Sequence, residues 1–280
     1  MHTHVIQRQY DEVIAPHYDA DPQSVIGDSL DRAVAQLREQ PRVRAGATAL
    51  RVLDLGMGTG RFLTKLAGQV NRPLQPTGLD LSERMVAIAR GRVPDLVAVV
   101  DDARNLDAHF APASFDLVCT HFVTGYVPAG ELAPKVWDKL APGGHWSFVG
   151  GTQAGFPALH RLTQSRVVRR LFGARALDVG GLVASPADRA DLLRTLEAHG
   201  FVACTAETFA PEFCFADFER FLEVCYRGGW LTPFVESWGA QNAGRLVRLL
   251  LDTFVFPVRD HHVIEIVLAE KNGLRPPHPA

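Results

Sequence analysis

The stretch VLDLGMGTG, Val52–Gly60, sets glycine at every second position directly behind a run of Val, Leu, Asp and Leu. A short apolar run that stops at glycine reads as a buried strand ending in a tight turn. The next residues, RFLTKLAGQV, carry Phe62, Leu63, Leu66 and Val70 at helical spacing. Strand, bare loop and helix commit this part of the chain to a βαβ unit, and the pattern then repeats. QPTGLDLS is a strand ending in an acid, with Ser82 as N-cap of the helix ERMVAIARGR. LVAVV is a continuous apolar run, which fits a parallel strand buried on both faces, and it ends at Asp101 and Asp102. The strand SFDLVCTHFV, the helix ELAPKVWDKL and, after the turn APGG, the strand HWSFVGG continue the alternation. Alternation of this kind implies right-handed crossovers and a doubly wound α/β sheet.

The second half is less regular. PALHRLTQSRVVRRLFGAR is a basic helical stretch. SPADRADLLRTLEAHGF reads as a helix with Ser185 as N-cap, Pro186 as its first residue and Gly200 as the left-handed C-terminal residue. VACTAETFA then reads as a strand, residues 215–256 as an aromatic-rich helical stretch, and HHVIEIVLAEK as a closing strand. The tail NGLRPPHPA is Pro-rich and is expected to fray. These readings divide the chain into an N-terminal helical lid (1–48), a ligand-binding core (49–151), the rest of the sheet with helical insertions near 152–184 and 209–256 (152–270), and a flexible tail (271–280).

With 280 residues and 47% hydrophobic content, the chain is long enough for one large α/β domain carrying insertions. A formal charge of -2 gives no general footprint for nucleic acid or an anionic membrane. Cys119, Cys204, Cys214 and Cys225 lie far apart in apolar contexts, so buried reduced thiols are expected and a metal site is not. The N-terminus has no apolar signal segment, and a cytoplasmic protein is expected.

In an open α/β sheet, ligands bind outside the carboxyl ends of the strands at the switch point. The glycines let a ligand approach the main chain, and the helix opening at Gly60 or Arg61 offers free N–H groups. Asp80, twenty residues after Gly60 at the end of the second strand, is placed to accept hydrogen bonds from ribose hydroxyls. Asp102, at the end of the third strand, is placed for an adenine amino group. The spacing is G-x-G-x-G followed by Arg61, whereas a dinucleotide fingerprint needs glycine at position 61. Asp54, two residues before the first glycine, would be unhelpful beside a pyrophosphate and suits a sulfonium cofactor with an amino group.

VLDLGMGTG, GLDLS, VVDDARNL, FDLVCTHFV and LAPGGHWSFV resemble, in order, the successive motifs of class I S-adenosylmethionine-dependent methyltransferases. The match runs from Ala49 to Gly151, and the N-terminal QYDEVIAPHYDADP resembles the lead-in segment of small-molecule members. The resemblance implies a Rossmann-like, mostly parallel seven-stranded sheet with a helical lid, and S-adenosylmethionine as cofactor. It implies that Gly56, Met57, Gly58 and Gly60 contact the methionine part, with Asp54 beside it. Asp80 would hold the ribose, Leu81 would lie against the adenine, and Asp102 and Ala103 would bind its edge. His121 and Phe122 would lie beside the transferred methyl, with Tyr10 and Tyr18 as a cover.

A sulfonium is already an activated leaving group, so the protein needs mainly in-line positioning and, for a protonated nucleophile, a base. His121, His17 and Tyr126 are the candidates. His121 is read equally as a contact to cofactor or backbone, and His17 as a surface histidine on the lid. Trp230, Trp238, Phe215 and Tyr226 are candidate substrate contacts, against the alternative that Phe218, Phe221, Leu222 and Cys225 form one core-facing helical stripe. Arg166, Arg169, Arg170 and Arg175 suit a solvated face better than an anion clamp. His261 and His262 are adjacent at a strand start and point to opposite faces, so one metal ion is not expected there.

The expected function is methyl transfer to a small, partly apolar acceptor in biosynthesis of specialised metabolites, oxygen favoured over nitrogen or carbon, by a monomer or homodimer. Three rivals stand beside it. A nicotinamide oxidoreductase is weakened by Arg61 and the lack of a Tyr-x-x-x-Lys pair. A protein using the cofactor to promote a reaction other than methyl transfer would bind it without turnover. A nucleic-acid methyltransferase is disfavoured by charge and by THFVTGYV after the fourth strand, where such enzymes carry N/D-P-P-Y/F.

Overall fold

A computed structural model describes residues 3–172 and 184–272. Among the described residues nine strands form: β1 (Leu50–Leu55), β2 (Leu74–Asp80), β3 (Val97–Val100), β4 (Phe115–His121), β5 (Leu140–Gly151), β6 (Phe201–Phe209), β7 (Glu212–Phe215), β8 (Val258–His261) and β9 (Ile264–Lys271). Seven of them make one sheet in the order β3-β2-β1-β4-β5-β9-β6, while β7 and β8 pair separately. The first five run parallel, and β9 enters antiparallel between β5 and β6. The strand order reverses direction between β1 and β4, which is the switch point where such sheets bind ligands.

β1 shows how the sequence builds the layers. Alternate side chains leave opposite faces of a strand. Val52 joins Leu37, Phe62 and Leu63 in one core, while Leu53 and Leu55 join Leu132, Val136 and Trp146 in the other. A central parallel strand therefore has to be apolar throughout. β3 departs from that rule and from the sequence expectation: it is the edge strand, with Val97 59% and Val100 40% exposed. A run of Val and Ala has the same pattern at an edge, because nothing in four residues reports whether a neighbour covers the outer face.

The helix Arg61–Ala67 starts at Gly60 (φ +76°), and Ser82 caps the helix Glu83–Arg92 through its hydroxyl, which accepts from the Met85 N–H at 3.0 Å. The later helix differs from expectation. It spans Arg189–Ala198, and its N-cap is Asp188, whose carboxylate accepts from the Asp191 N–H at 2.8 Å. Ser185 instead gives its carbonyl to the Gln153 side chain. Gly200 does take a left-handed conformation, φ +88°.

The N-terminal lid is a helix (Thr3–Arg8), a π-helical turn (Gln9–Ile14) and, after a short turn, the helix Val25–Arg38. The C-terminal insertion carries a π-helical turn at Leu222–Arg227 and the helix Thr232–Trp238. Glu236 ties the two together by accepting from Arg8 and from Gln9, each at 2.7 Å, and from the Tyr226 hydroxyl at 3.2 Å. The expected flexible tail and Arg175 fall largely or wholly outside the described residues. Two of the four cysteines, Cys204 and Cys214, are exposed, contrary to expectation; Cys119 and Cys225 are buried.

Candidate active site

The loops leaving β1, β2, β3 and β4 enclose a cavity of about 90 Å³. Asp80 closes β2 with its carboxylate inside this cavity. Oδ2 accepts the Gly58 N–H at 2.8 Å and Oδ1 the Ser82 N–H at 2.9 Å. A carboxylate offers about four acceptor positions, so roughly two remain for ligand hydroxyls. Burial pushes the Asp80 pKa up to about 6, against the opposing pull of the Ser82 and Gly58 N–H groups. Asp102 follows β3, caps the short turn Ala103–Asn105 and is paired by the Arg104 guanidinium at 3.1 Å; it lines the cavity together with Ala103 and Leu81.

Gly56 and Gly58 take φ of +68° and +55°, values that side chains with a Cβ resist. A Cβ at Gly58 would sit 3.5 Å from the Tyr18 ring, so that ring covers the loop. Two buried polar atoms near the cavity lack any partner: Oδ2 of Asp54 and Nδ1 of His121. Buried polar groups are rarely left unpaired unless a ligand completes them. The donors and acceptors present therefore fit a polar, ribose-bearing group with an amino function.

A second cavity of about 380 Å³ adjoins the first, and Tyr10, Tyr18, Phe122 and Tyr126 border both. Phe122 sits at φ +61°, a strained setting for an aromatic residue, where β4 ends between the two spaces. The Tyr10 hydroxyl donates to Tyr126 at 3.3 Å, linking lid to core across the junction. Beyond them the wall is formed by Phe156, Trp230, Phe234 and His262, with Thr152 and Gln153 as polar groups. Among the described residues, no Asp, Glu, Lys or Arg lines this larger cavity.

His121 lies in the smaller cavity only. Its Nε2 is 3.0 Å from Ser147 Oγ, its ring meets Phe62 edge-on, and burial lowers its pKa to about 3. That placement is one of a contact to the cofactor space and gives the ring no access to the larger cavity. His17 is exposed and borders neither cavity, which removes it as a candidate base. Tyr126 borders both. Of the four expected substrate contacts, Trp230 lines the larger cavity. Phe215 is fully buried against Phe213 and Phe221, Trp238 packs on the same core, and Tyr226 is turned to Glu236. In the glycine loop, Met57 is packed beneath Gly78 and Gly60 against Val93 and Ala89, so neither lines the cavity. Asp54 is buried behind it.

Sequence reasoning missed Phe156, Phe234, Gln153 and His262 in the larger cavity, and Ile6 and Val127 in the smaller. The glycines of GGTQAGF, after β5, were the available signal for a close approach there. Arg166, Arg169 and Arg170 are exposed on the helix Arg166–Phe172, away from both cavities. No described helix is long and apolar enough to cross a membrane.

Comparison with known proteins agrees with this geometry. A methyltransferase-domain family model matches residues 52–144, the segment that supplies β1 to β4 and the glycine loop. Over 226 residues the chain is 29% identical to a Streptomyces fradiae dTDP-3-amino-3,6-dideoxy-alpha-D-glucopyranose N,N-dimethyltransferase, covering 74% of this chain and 84% of that one. A Listeria welshimeri demethylmenaquinone methyltransferase is 28% identical over 168 residues, 58% of this chain and 70% of its own length. The fold is shared with a crystal structure from Bacillus halodurans described as a putative methyltransferase: TM-score 0.55 and 18% identity, with 86% of this chain and 99% of that one covered. Residues 52–144 match a methyltransferase domain, and this match, the relatives and the shared fold support an S-adenosylmethionine-dependent methyltransferase of class I.

Proposed function

We propose that the protein transfers a methyl group from S-adenosylmethionine to a small, uncharged, largely apolar acceptor held in the larger cavity, in a biosynthetic reaction. One observation carries the reading: a small cavity at the glycine loop, holding the charged groups of Asp80, Asp102 and Arg104, adjoins a larger aromatic one that no described Asp, Glu, Lys or Arg lines. An anionic acceptor such as a nucleotide sugar would need Arg or Lys at its phosphates, and an ammonium would need a carboxylate. The wall offers neither.

Bound S-adenosylmethionine supplies a methyl group already activated on a sulfonium. The chain's own residues hold and orient. Asp80 accepts from the ribose hydroxyls, Asp102 and Ala103 meet the adenine edge, and Gly56 and Gly58 let the methionine part lie against the main chain. Asp54 and His121 offer their unpartnered atoms to the amino acid end. Tyr10, Tyr18 and Tyr126 close the junction, exclude water and align the acceptor, the kind of positioning that accounts for much of the rate in a displacement reaction.

The test is a screen of neutral aromatic and polyketide-like alcohols with S-adenosylmethionine, read by mass gain of one methyl group. The reading expects products among apolar hydroxyl compounds and none among nucleotide sugars or tricarboxylates. The reverse pattern would overturn it.

A further inference from the structure

His262 stands between β8 and β9, and its ring enters the larger cavity. His261 beside it is exposed, so the pair divides between solvent and cavity. The His262 ring is stacked on Phe156, with centroids 4.7 Å apart and planes 14° from parallel, and meets Trp230 edge-on at 5.4 Å. Space for it comes from two glycines. A Cβ at Gly151 would fall 2.2 Å from Nε2, and one at Gly155 would fall 1.8 Å from Nδ1. Any other residue at either position would displace the ring.

Among the described residues, this fixed imidazole has no hydrogen-bond partner. Nδ1 is buried and unpaired, and no described group bonds Nε2. The carboxylate nearest in sequence, Asp260, is committed elsewhere, accepting the N–H groups of Ala158, Leu159 and His261. A neutral imidazole carries one N–H and one lone pair, and leaving the buried Nδ1 without a partner is costly. Burial lowers its pKa to about 4, so at neutral pH the ring is uncharged with the lone pair free.

We infer that His262 is a catalytic residue that accepts the hydroxyl proton of an aromatic alcohol or enol bound in the larger cavity. The inference rests on the methyl-transfer reading above and names the acceptor class. In the step, the acceptor's O–H bond breaks and its proton goes to the imidazole lone pair. The freed electron pair on oxygen forms the bond to the methyl carbon. The bond from that carbon to sulfur breaks, and its pair passes to sulfur. A neutral acceptor, a neutral imidazole and a sulfonium become an aryl or enol methyl ether, an imidazolium and a neutral thioether, so one positive charge is conserved. The imidazolium then returns its proton to solvent. Phe156, stacked on the imidazole, and Trp230, edge-on to it, hold the ring in place.

The experiment compares wild type with His262→Phe, which keeps a planar ring for stacking on Phe156, and with His262→Gln, which keeps an acceptor atom. First, S-adenosylhomocysteine affinity is measured by calorimetry for all three. Equal affinities within about twofold show intact folds and an intact cofactor site, and absence of binding in wild type would sink the methyl-transfer reading itself. Second, 2-naphthol and naphthalene are titrated into the protein saturated with S-adenosylhomocysteine. Wild type is expected to prefer 2-naphthol by about tenfold, His262→Phe to bind the two alike, and His262→Gln to keep part of the preference. A wild type without preference or without binding, or a His262→Phe protein that keeps it, overturns the assignment. Third, at pH 8.5 turnover of 2-naphthol should fall about 100-fold in His262→Phe, with a much smaller fall for 4-nitrophenol, which is largely ionised at that pH and needs no base. Equal losses, or turnover of neither acceptor, would contradict a proton-accepting role.

Discussion

Asp80 joins three demands in one side chain. Its oxygens anchor the glycine loop through Gly58, start the next helix through Ser82 and still face the smaller cavity. Burial raises its pKa to about 6, so the carboxylate prevails at pH 7 and protonation sets in just below neutrality. Ribose hydroxyls donate to the charged form, so ligand binding should weaken as pH falls through that value. We expect S-adenosylhomocysteine affinity to drop between pH 7 and pH 5 in wild type. Asp80→Asn should lose at least about tenfold, or 1.4 kcal/mol, at pH 7 and show a flat profile. Calorimetry across that range checks both, and a pH dependence surviving in Asp80→Asn would assign it to another group. His262 is linked to the stability of the fold. Its folded pKa lies below the usual value because burial disfavours the imidazolium. Its contribution to stability is therefore present above about pH 6.5 and is lost as pH falls towards 4. The fall in melting temperature from pH 7 to pH 5 should be shallower in His262→Phe than in wild type; an unchanged slope would mean the ring is not buried as described.

At the scale of elements, the helix starts and the lid can be tested. The carboxylate of Asp188, and no group of Ser185, caps the helix Arg189–Ala198. Asp188→Ala should destabilise by about 1 kcal/mol and Ser185→Ala by much less, measured by denaturant unfolding. Equal effects would return the cap to Ser185. Glu236 collects Arg8, Gln9 and Tyr226 and so fastens lid to insertion. Glu236→Ala should loosen residues 3–14, visible as faster amide exchange there, and should raise the KM for the acceptor more than it changes cofactor affinity. Which elements were legible follows from how local their signals are. Gly56, Gly58, Asp80 and Asp102 are each fixed by a strand end and a turn, so the cofactor cavity could be read from the sequence with few errors. Met57, Gly60 and Asp54 do not line it, because alternation along a strand end and loop does not say which residues face Gly78, Val93 or the core. The acceptor cavity was largely illegible. Its wall comes from residues 122–126, 151–160, 228–234 and 262, brought together by two π-helical turns and a separate two-stranded sheet. Phe215 and Trp238 share composition and spacing with Trp230, and tertiary packing alone sends them to the core.

For the whole molecule, the sheet divides labour along its width. β1 to β4 present the polar cavity at the switch point, while the lid, the end of β5 and the C-terminal insertion add the aromatic one beside it. The two spaces meet at Tyr10, Tyr18, Phe122 and Tyr126, so on the proposed reading a cofactor in one would face an acceptor in the other across that junction. Relatives that match mainly in the first half are expected to share the cofactor and to differ in the acceptor, since the insertion carries the wall of the larger cavity. The central claim is that the cavity against the glycine loop is built for a sulfonium nucleoside and not for a dinucleotide. It is tested most directly by calorimetric titration of the purified protein with S-adenosylhomocysteine and, in parallel, with a nicotinamide dinucleotide. The account predicts saturable binding of the thioether nucleoside at one site, with a dissociation constant on the order of micromolar, and no binding of the dinucleotide. Binding of the dinucleotide with none of the thioether nucleoside would contradict it.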